Sequence, residues 1–268
     1  MALLDCKFYS ESLKISTSMV VILPQNTETQ IGQKNSAAAG RHRTLYLLHG
    51  LSDDETIWTR RTSIERYVAP LGLAVVMPAV NRSFYTDMKN GGAYETFVAD
   101  ELPRIARSFF PLSDRREDTF VAGLSMGGYG AFKLALNYPE RFAAAASLSG
   151  ALDVVQHSSE AGLQERPDVG PDFDSIFGEE RALTGTRHDL FGLLDTHARE
   201  GTKLPRLFAC CGEEDSLFSR NVAFRDHAAS LGVDLTWRSD PGFAHTWDYW
   251  DLRIQSVLEW IFADEAVG

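Results

Sequence analysis

The chain reads as an α/β domain with a mostly parallel central sheet and helices on both of its faces. Three observations predict this. From Thr44 onward, short apolar runs alternate with longer amphipathic segments, the pattern of a parallel sheet flanked by helices. The length of 268 residues suits one α/β domain, which buries enough apolar surface to need no disulfide or structural metal. A composition of 44% apolar and 24% charged residues belongs to a globular chain and excludes a disordered or membrane-embedded one.

Taken in order, an alternating segment over 3–9 and an apolar run over 18–23, stopped by Pro24, predict two strands at an antiparallel edge. Residues 26–43 are small and polar, with Gly32 and Gly40, and predict a loop. Six further strands are expected over 45–48, 74–77, 119–122, 144–148, 206–210 and 234–238. Helices are expected over 62–71, 93–109, 126–138, 219–231 and 247–262. The stretch 151–205 breaks the alternation with Gly, Pro, Asp and Glu; it reads as an insertion within the single domain 1–268, forming a small cap or pocket wall.

A formal net charge of −11 opposes nucleic-acid binding, since phosphate recognition draws on clustered Lys and Arg. A small neutral substrate fits better. The three cysteines, Cys6, Cys210 and Cys211, form no paired framework and read as reduced thiols. Residues 1–10 lack a basic stretch followed by an apolar one, and no run approaches the roughly 20 apolar residues that span a bilayer. The cytoplasm is the expected compartment, with no membrane partner and room for a homo-oligomer.

The chemistry starts at Thr119-Phe-Val-Ala-Gly-Leu-Ser-Met-Gly-Gly-Tyr-Gly, where G-x-S-x-G lies between an apolar strand and an Ala- and Leu-rich helix. In a nucleophile elbow the chain turns so sharply that the serine is strained and its neighbours must be glycine; Gly123, Gly127 and Gly128 answer that need. Ser125 is the expected nucleophile. A hydroxyl needs a base, and in this arrangement the order is Ser, then Asp or Glu, then His. Of His157, His188, His197, His227 and His245, only His245 directly follows the last strand. The acid should follow the penultimate strand, where Gly212-Glu-Glu-Asp offers Asp215, with Glu213 and Glu214 as rivals.

Oxyanion donors are expected at the backbone N–H groups of Met126, which follows the nucleophile, and Leu51, which follows the apolar strand ending in His49-Gly50. His49 precedes the serine and reads as a loop-shaping residue. Trp58, Tyr85 and Trp247 are candidates to line a substrate pocket, with packing as the competing role for each. No HExxH, CxxC pair or phosphate loop occurs, so neither metal nor cofactor is implied.

Leu47-Leu-His-Gly-Leu-Ser-Asp, Val76-Met-Pro, Glu101-Leu-Pro, Ala122-Gly-Leu-Ser-Met-Gly-Gly-Tyr-Gly, Leu148-Ser-Gly-Ala and Cys211-Gly-Glu-Glu-Asp resemble, in order and spacing, the esterase D group of α/β hydrolases. Within it the sequence is most similar to bacterial tributyrin esterases and acetylesterases; Tyr85-Thr-Asp and His245-Thr-Trp-Asp-Tyr-Trp share the likeness. The resemblance implies an α/β-hydrolase fold, a triad of Ser125, Asp215 and His245, and an oxyanion hole from Leu51 and Met126. It favours Asp215 over the two glutamates. It also implies a serine carboxylesterase that hydrolyses short-chain acyl esters, a small-molecule substrate class, through an acyl-enzyme. S-formylglutathione hydrolase and feruloyl or acetylxylan esterase are the rival activities, and a non-catalytic binding protein on the same fold is the rival of another class.

Overall fold

Parallel strands cannot be joined by hairpins, so each needs a crossover of a dozen or more residues, and the spacing of apolar runs after Thr44 supplies it. The computed structural model describes residues 1–37, 39–165 and 167–263. Its eight strands are β1 (Ala2–Ser10), β2 (Ile15–Leu23), β3 (Thr44–Leu48), β4 (Ala74–Pro78), β5 (Thr119–Leu124), β6 (Ala144–Leu148), β7 (Arg206–Gly212) and β8 (Leu235–Asp240). They form one sheet in the order β1-β2-β4-β3-β5-β6-β7-β8. β2 pairs antiparallel with both β1 and β4, and every pairing from β4 to β8 is parallel.

Strands buried on both faces must be apolar throughout, and β3, β4, β5 and β6 are buried along their whole length. Successive side chains then feed two separate cores. Tyr46 and Leu48 face one, with Phe97, Phe132 and Phe224 from helices within 94–109, Met126–Asn137 and Phe218–Ser230. Leu45 and Leu47 face the other, with Trp58, Val68 and Ile254 from Ile57–Arg61, Ile64–Val68 and Trp247–Ile261.

Two elements differ in detail from the sequence reading. The single helix expected over 62–71 is two short helices, Ile57–Arg61 and Ile64–Val68, followed by a 3₁₀ turn. Thr62 divides them: its hydroxyl donates to Trp58 O (2.6 Å) and accepts from the N–H of Ile64 (3.1 Å), so one side chain ends the first helix and starts the second. The stretch 151–205 holds more helix than its periodicity suggested, including Val154–His157, Gly170–Phe177 and Leu190–Glu200. Leu190 and Leu194 pack into the core beside the helix Met126–Asn137.

Between Tyr94 and Phe109 the helix contains a π turn at Phe97–Glu101. Glu101 leaves it to bind the β1–β2 turn, accepting from Ser10 Oγ (2.6 Å) and from the N–H groups of Glu11 (2.8 Å) and Ser12 (3.0 Å). The antiparallel edge is thereby tied to the helical layer.

Candidate active site

Where β5 gives way to the helix Met126–Asn137, Ser125 takes φ 54° and ψ −118°. A side chain other than glycine pays for such a conformation, and it persists only where the surroundings over-determine it. Here they do. The Ser125 N–H donates to Leu148 O (2.9 Å) and its carbonyl accepts from the N–H of Ala151 (3.1 Å). The flanking glycines are required by contact: a Cβ on Gly123 would lie 2.4 Å from Gly127 O.

β7 and β8 deliver the remaining polar groups to the same end of the sheet. His245 stands between β8 and the helix Trp247–Ile261, and its Nε2 lies 3.0 Å from Ser125 Oγ. Its Nδ1 lies 2.8 Å from Asp215 Oδ2. Asp215 is buried beyond β7, and its Oδ1 accepts from the N–H of Leu217 (2.8 Å). Burial pushes the Asp215 carboxyl up, but the His245 imidazole and the Leu217 N–H outweigh it and hold the group below its ordinary value. Glu213 and Glu214 are exposed, with Glu213 accepting from Ser239 Oγ (3.0 Å). The structure thus joins Asp215, and not its neighbours, to the histidine.

His49 closes β3 and is buried. Its Nε2 receives the N–H of Val80 (3.1 Å), so the ring proton sits on Nδ1 and is donated to Gly50 O (2.7 Å). Burial lowers its pKa and keeps the ring neutral. These bonds fix the Gly50-Leu51 turn, in keeping with a loop-shaping residue. Leu51 and Met126 border a cavity of about 190 Å³ together with Ser125 and His245. Phe84, Ala151, Val169, Phe173 and Leu217 supply its apolar wall, and His157, Ser216 and Arg220 its polar edge.

The three aromatic candidates stand elsewhere. Trp58 is fully buried behind the turn, with its indole N–H on Leu48 O (3.1 Å). Tyr85 is also fully buried, with its hydroxyl on His49 O (2.9 Å). Trp247 packs edge-on against Trp58 and Trp250 at ring separations of 5.3 and 5.1 Å. Trp58 and Tyr85 belong to the core beneath the site, the half-buried Trp247 packs against it, and none of the three borders the cavity.

A family model for esterases matches residues 10–260. The chain belongs to the esterase family. It is 31% identical to an acetyl esterase of Caldicellulosiruptor saccharolyticus over 97% of this chain and 98% of that protein. Among solved structures it is similar to the fluorophosphonate-binding serine hydrolase FphF of Staphylococcus aureus, with 34% identity, a TM-score of 0.85, and coverage of 97% of this chain and 98% of that one. The S-formylglutathione hydrolase FrmB of the same organism superposes with a TM-score of 0.80 and 33% identity, again over 97% and 98%. The protein is a serine carboxylic ester hydrolase with an α/β-hydrolase fold.

Sequence reasoning missed most of this esterase's cavity wall. Phe84 lies in a loop without periodicity, and Val169 and Phe173 lie in the stretch 151–205. A motif marks residues that do chemistry, whereas a wall needs only apolar bulk, which sequence cannot separate from core. Among the described residues no cluster of three or more His, Cys, Asp or Glu side chains could hold a metal, and no helix is long and apolar enough to cross a membrane.

Proposed function

We propose that the esterase cleaves esters of short acyl chains, with Ser125 as nucleophile, His245 as general base and acid, Asp215 as the group that orients His245, and the N–H groups of Leu51 and Met126 as oxyanion donors. The observation that carries this reading is the continuous bonding of Asp215, His245 and Ser125 at the floor of a small apolar cavity. His245 Nε2 takes the proton of Ser125 Oγ as the oxygen attacks the ester carbonyl, and Asp215 stabilises the imidazolium that forms. As the tetrahedral intermediate collapses, His245 passes the proton to the departing alkoxide and the acyl group stays on Ser125. Water then attacks the acyl-enzyme, giving its proton to His245. Collapse releases the acid and returns the proton to Ser125. Oxyanion donors in such sites are each worth about 10²–10³ in kcat.

A cavity of about 190 Å³ favours acetyl to butyryl groups over long chains. The free thiols of Cys6, Cys210 and Cys211 suit the reducing cytoplasm. Thioester hydrolysis is the second reading, favoured by the likeness to FrmB. The deciding experiment compares kcat/KM for p-nitrophenyl esters from acetate to decanoate with that for S-formylglutathione, alongside the Ser125→Ala variant. We expect a maximum at short oxygen esters and loss of nearly all turnover in the variant. Full activity of Ser125→Ala would refute the assignment, and a native protein that a fluorophosphonate leaves unlabelled would favour a binding role.

A further inference from the structure

We propose that Tyr85 is a positioning residue that sets the distance between the two oxyanion donors, by bracing the oxyanion loop against the nucleophile helix. The inference rests on the assignment of Leu51 and Met126 as those donors. They come from separate elements, one from the turn after β3 and one from the first position of the helix Met126–Asn137. A hole built from two elements works only if something holds them in register.

Tyr85 touches both. Its hydroxyl donates to His49 O (2.9 Å), two residues before Leu51. Its ring lies on Gly130 of the nucleophile helix so closely that a Cβ there would stand 2.4 Å from the ring carbon Cδ2. This accounts for the last glycine of Gly127-Gly-Tyr-Gly, which the elbow itself does not need.

The tyrosine is in turn anchored by that helix. Lys133 is wholly buried, and its ammonium donates to Tyr85 O (3.0 Å) and Thr86 Oγ1 (2.7 Å) while pairing with the buried Glu95 at 2.8 Å. These bonds hold Phe84 and Tyr85 at φ 49° and 51°. Two successive bulky residues in the left-handed region are outliers that tertiary contacts must enforce. A side chain needed only to fill the core would require neither that backbone nor a hydroxyl aimed at the oxyanion loop. The strain presents the Tyr85 hydroxyl to His49 O and, at the adjoining position, places Phe84 at the cavity wall.

The test uses Tyr85→Phe, which deletes the hydroxyl, and Gly130→Ala, which displaces the ring and keeps it. Folded, competent enzyme is counted by fluorophosphonate titration, so that rates refer to reactive sites. Loosening one oxyanion donor should lower kcat per titrated site for p-nitrophenyl acetate by about 10-fold in each variant, with KM within about twofold. Affinity for a trifluoromethyl ketone, whose adduct carries an oxyanion, should fall by the same factor, while that for an unreactive amide analogue holds. Wild-type kcat per site in both variants, even with fewer competent sites, overturns the proposal. Failure of the Ser125 assignment would look different, since the wild-type enzyme itself would then resist the fluorophosphonate.

Discussion

A Cβ placed on Gly127 would stand 2.5 Å from the carbonyl oxygen of Leu48, so the nucleophile helix and β3 meet backbone against backbone. No side chain can turn away from that contact. Gly127→Ala must therefore push the helix off the sheet, and Ser125 with it. A displacement of about 1 Å at a reacting atom costs on the order of 10² in rate. We expect kcat/KM to fall at least that far, with overpacking costing roughly 1–3 kcal/mol of stability. Esterase assays and thermal melts on the same sample check both, and an alanine variant with native kcat/KM would contradict the contact.

Asp215→Asn tests the orientation of the histidine. Asp215 receives the Leu217 N–H on one oxygen and His245 Nδ1 on the other. An amide retains one acceptor and turns the other position into a donor, which favours the imidazole tautomer that cannot take the serine proton. In the serine-protease template the equivalent change lowers kcat by about 10⁴ without disturbing the geometry. A loss of about 10³–10⁴ is expected here, with fluorophosphonate labelling slowed in step. Near-native turnover would show that another group orients His245.

How far the site was legible in the sequence depended on how local its cause was. The elbow is local: a strand, a turn that admits only glycine beside Ser125, and a helix follow within a dozen residues. The topology then makes His245 readable and narrows the acid to Glu213, Glu214 or Asp215, because a parallel sheet brings the ends of β7 and β8 to the same side as that of β5, and the family resemblance favours Asp215 among the three. The roles of Trp58, Tyr85 and Trp247 stayed open between pocket and packing because an aromatic residue's identity is the same on a cavity wall as behind one. The left-handed backbone at Phe84 and Tyr85 runs against local preference, and its cause is Lys133, about 48 residues away in sequence. The break in the helix at Thr62 was similarly hidden, since whether a threonine hydroxyl bonds the neighbouring Trp58 carbonyl and Ile64 N–H depends on a local backbone geometry that its identity does not specify.

On the proposed reading, in which the cavity takes the acyl chain, Phe173 sets how deep that chain reaches. Its ring packs edge-on against Phe84 at 5.0 Å and Phe177 at 5.5 Å, and it borders the cavity. Phe173→Ala should open room for two or three more methylenes, each worth about 0.8 kcal/mol when buried. The ratio of kcat/KM for hexanoate over acetate should then rise about 10-fold or more. Stability should fall by about 3–5 kcal/mol, as for other buried phenylalanines. An unchanged ratio in folded protein would place the acyl chain elsewhere.

Glu101 gives the fold an acid-sensitive tie at the β1–β2 turn. Burial pushes its carboxyl up, but Ser10, Ser12 and the backbone N–H groups of Ser12 and Glu11 hold it below the ordinary value. Below an unfolded pKa of about 4.3 the unfolded chain binds more protons at this group than the folded one. The stabilisation is therefore complete above that value and is lost as pH falls through the lower folded value. Glu101→Gln should lower Tm by a constant amount from pH 7 to about 5.5, and the gap to wild type should close below about pH 4. A gap that stays constant into acid would mean that the turn is held by shape alone, with no contribution from the carboxylate charge.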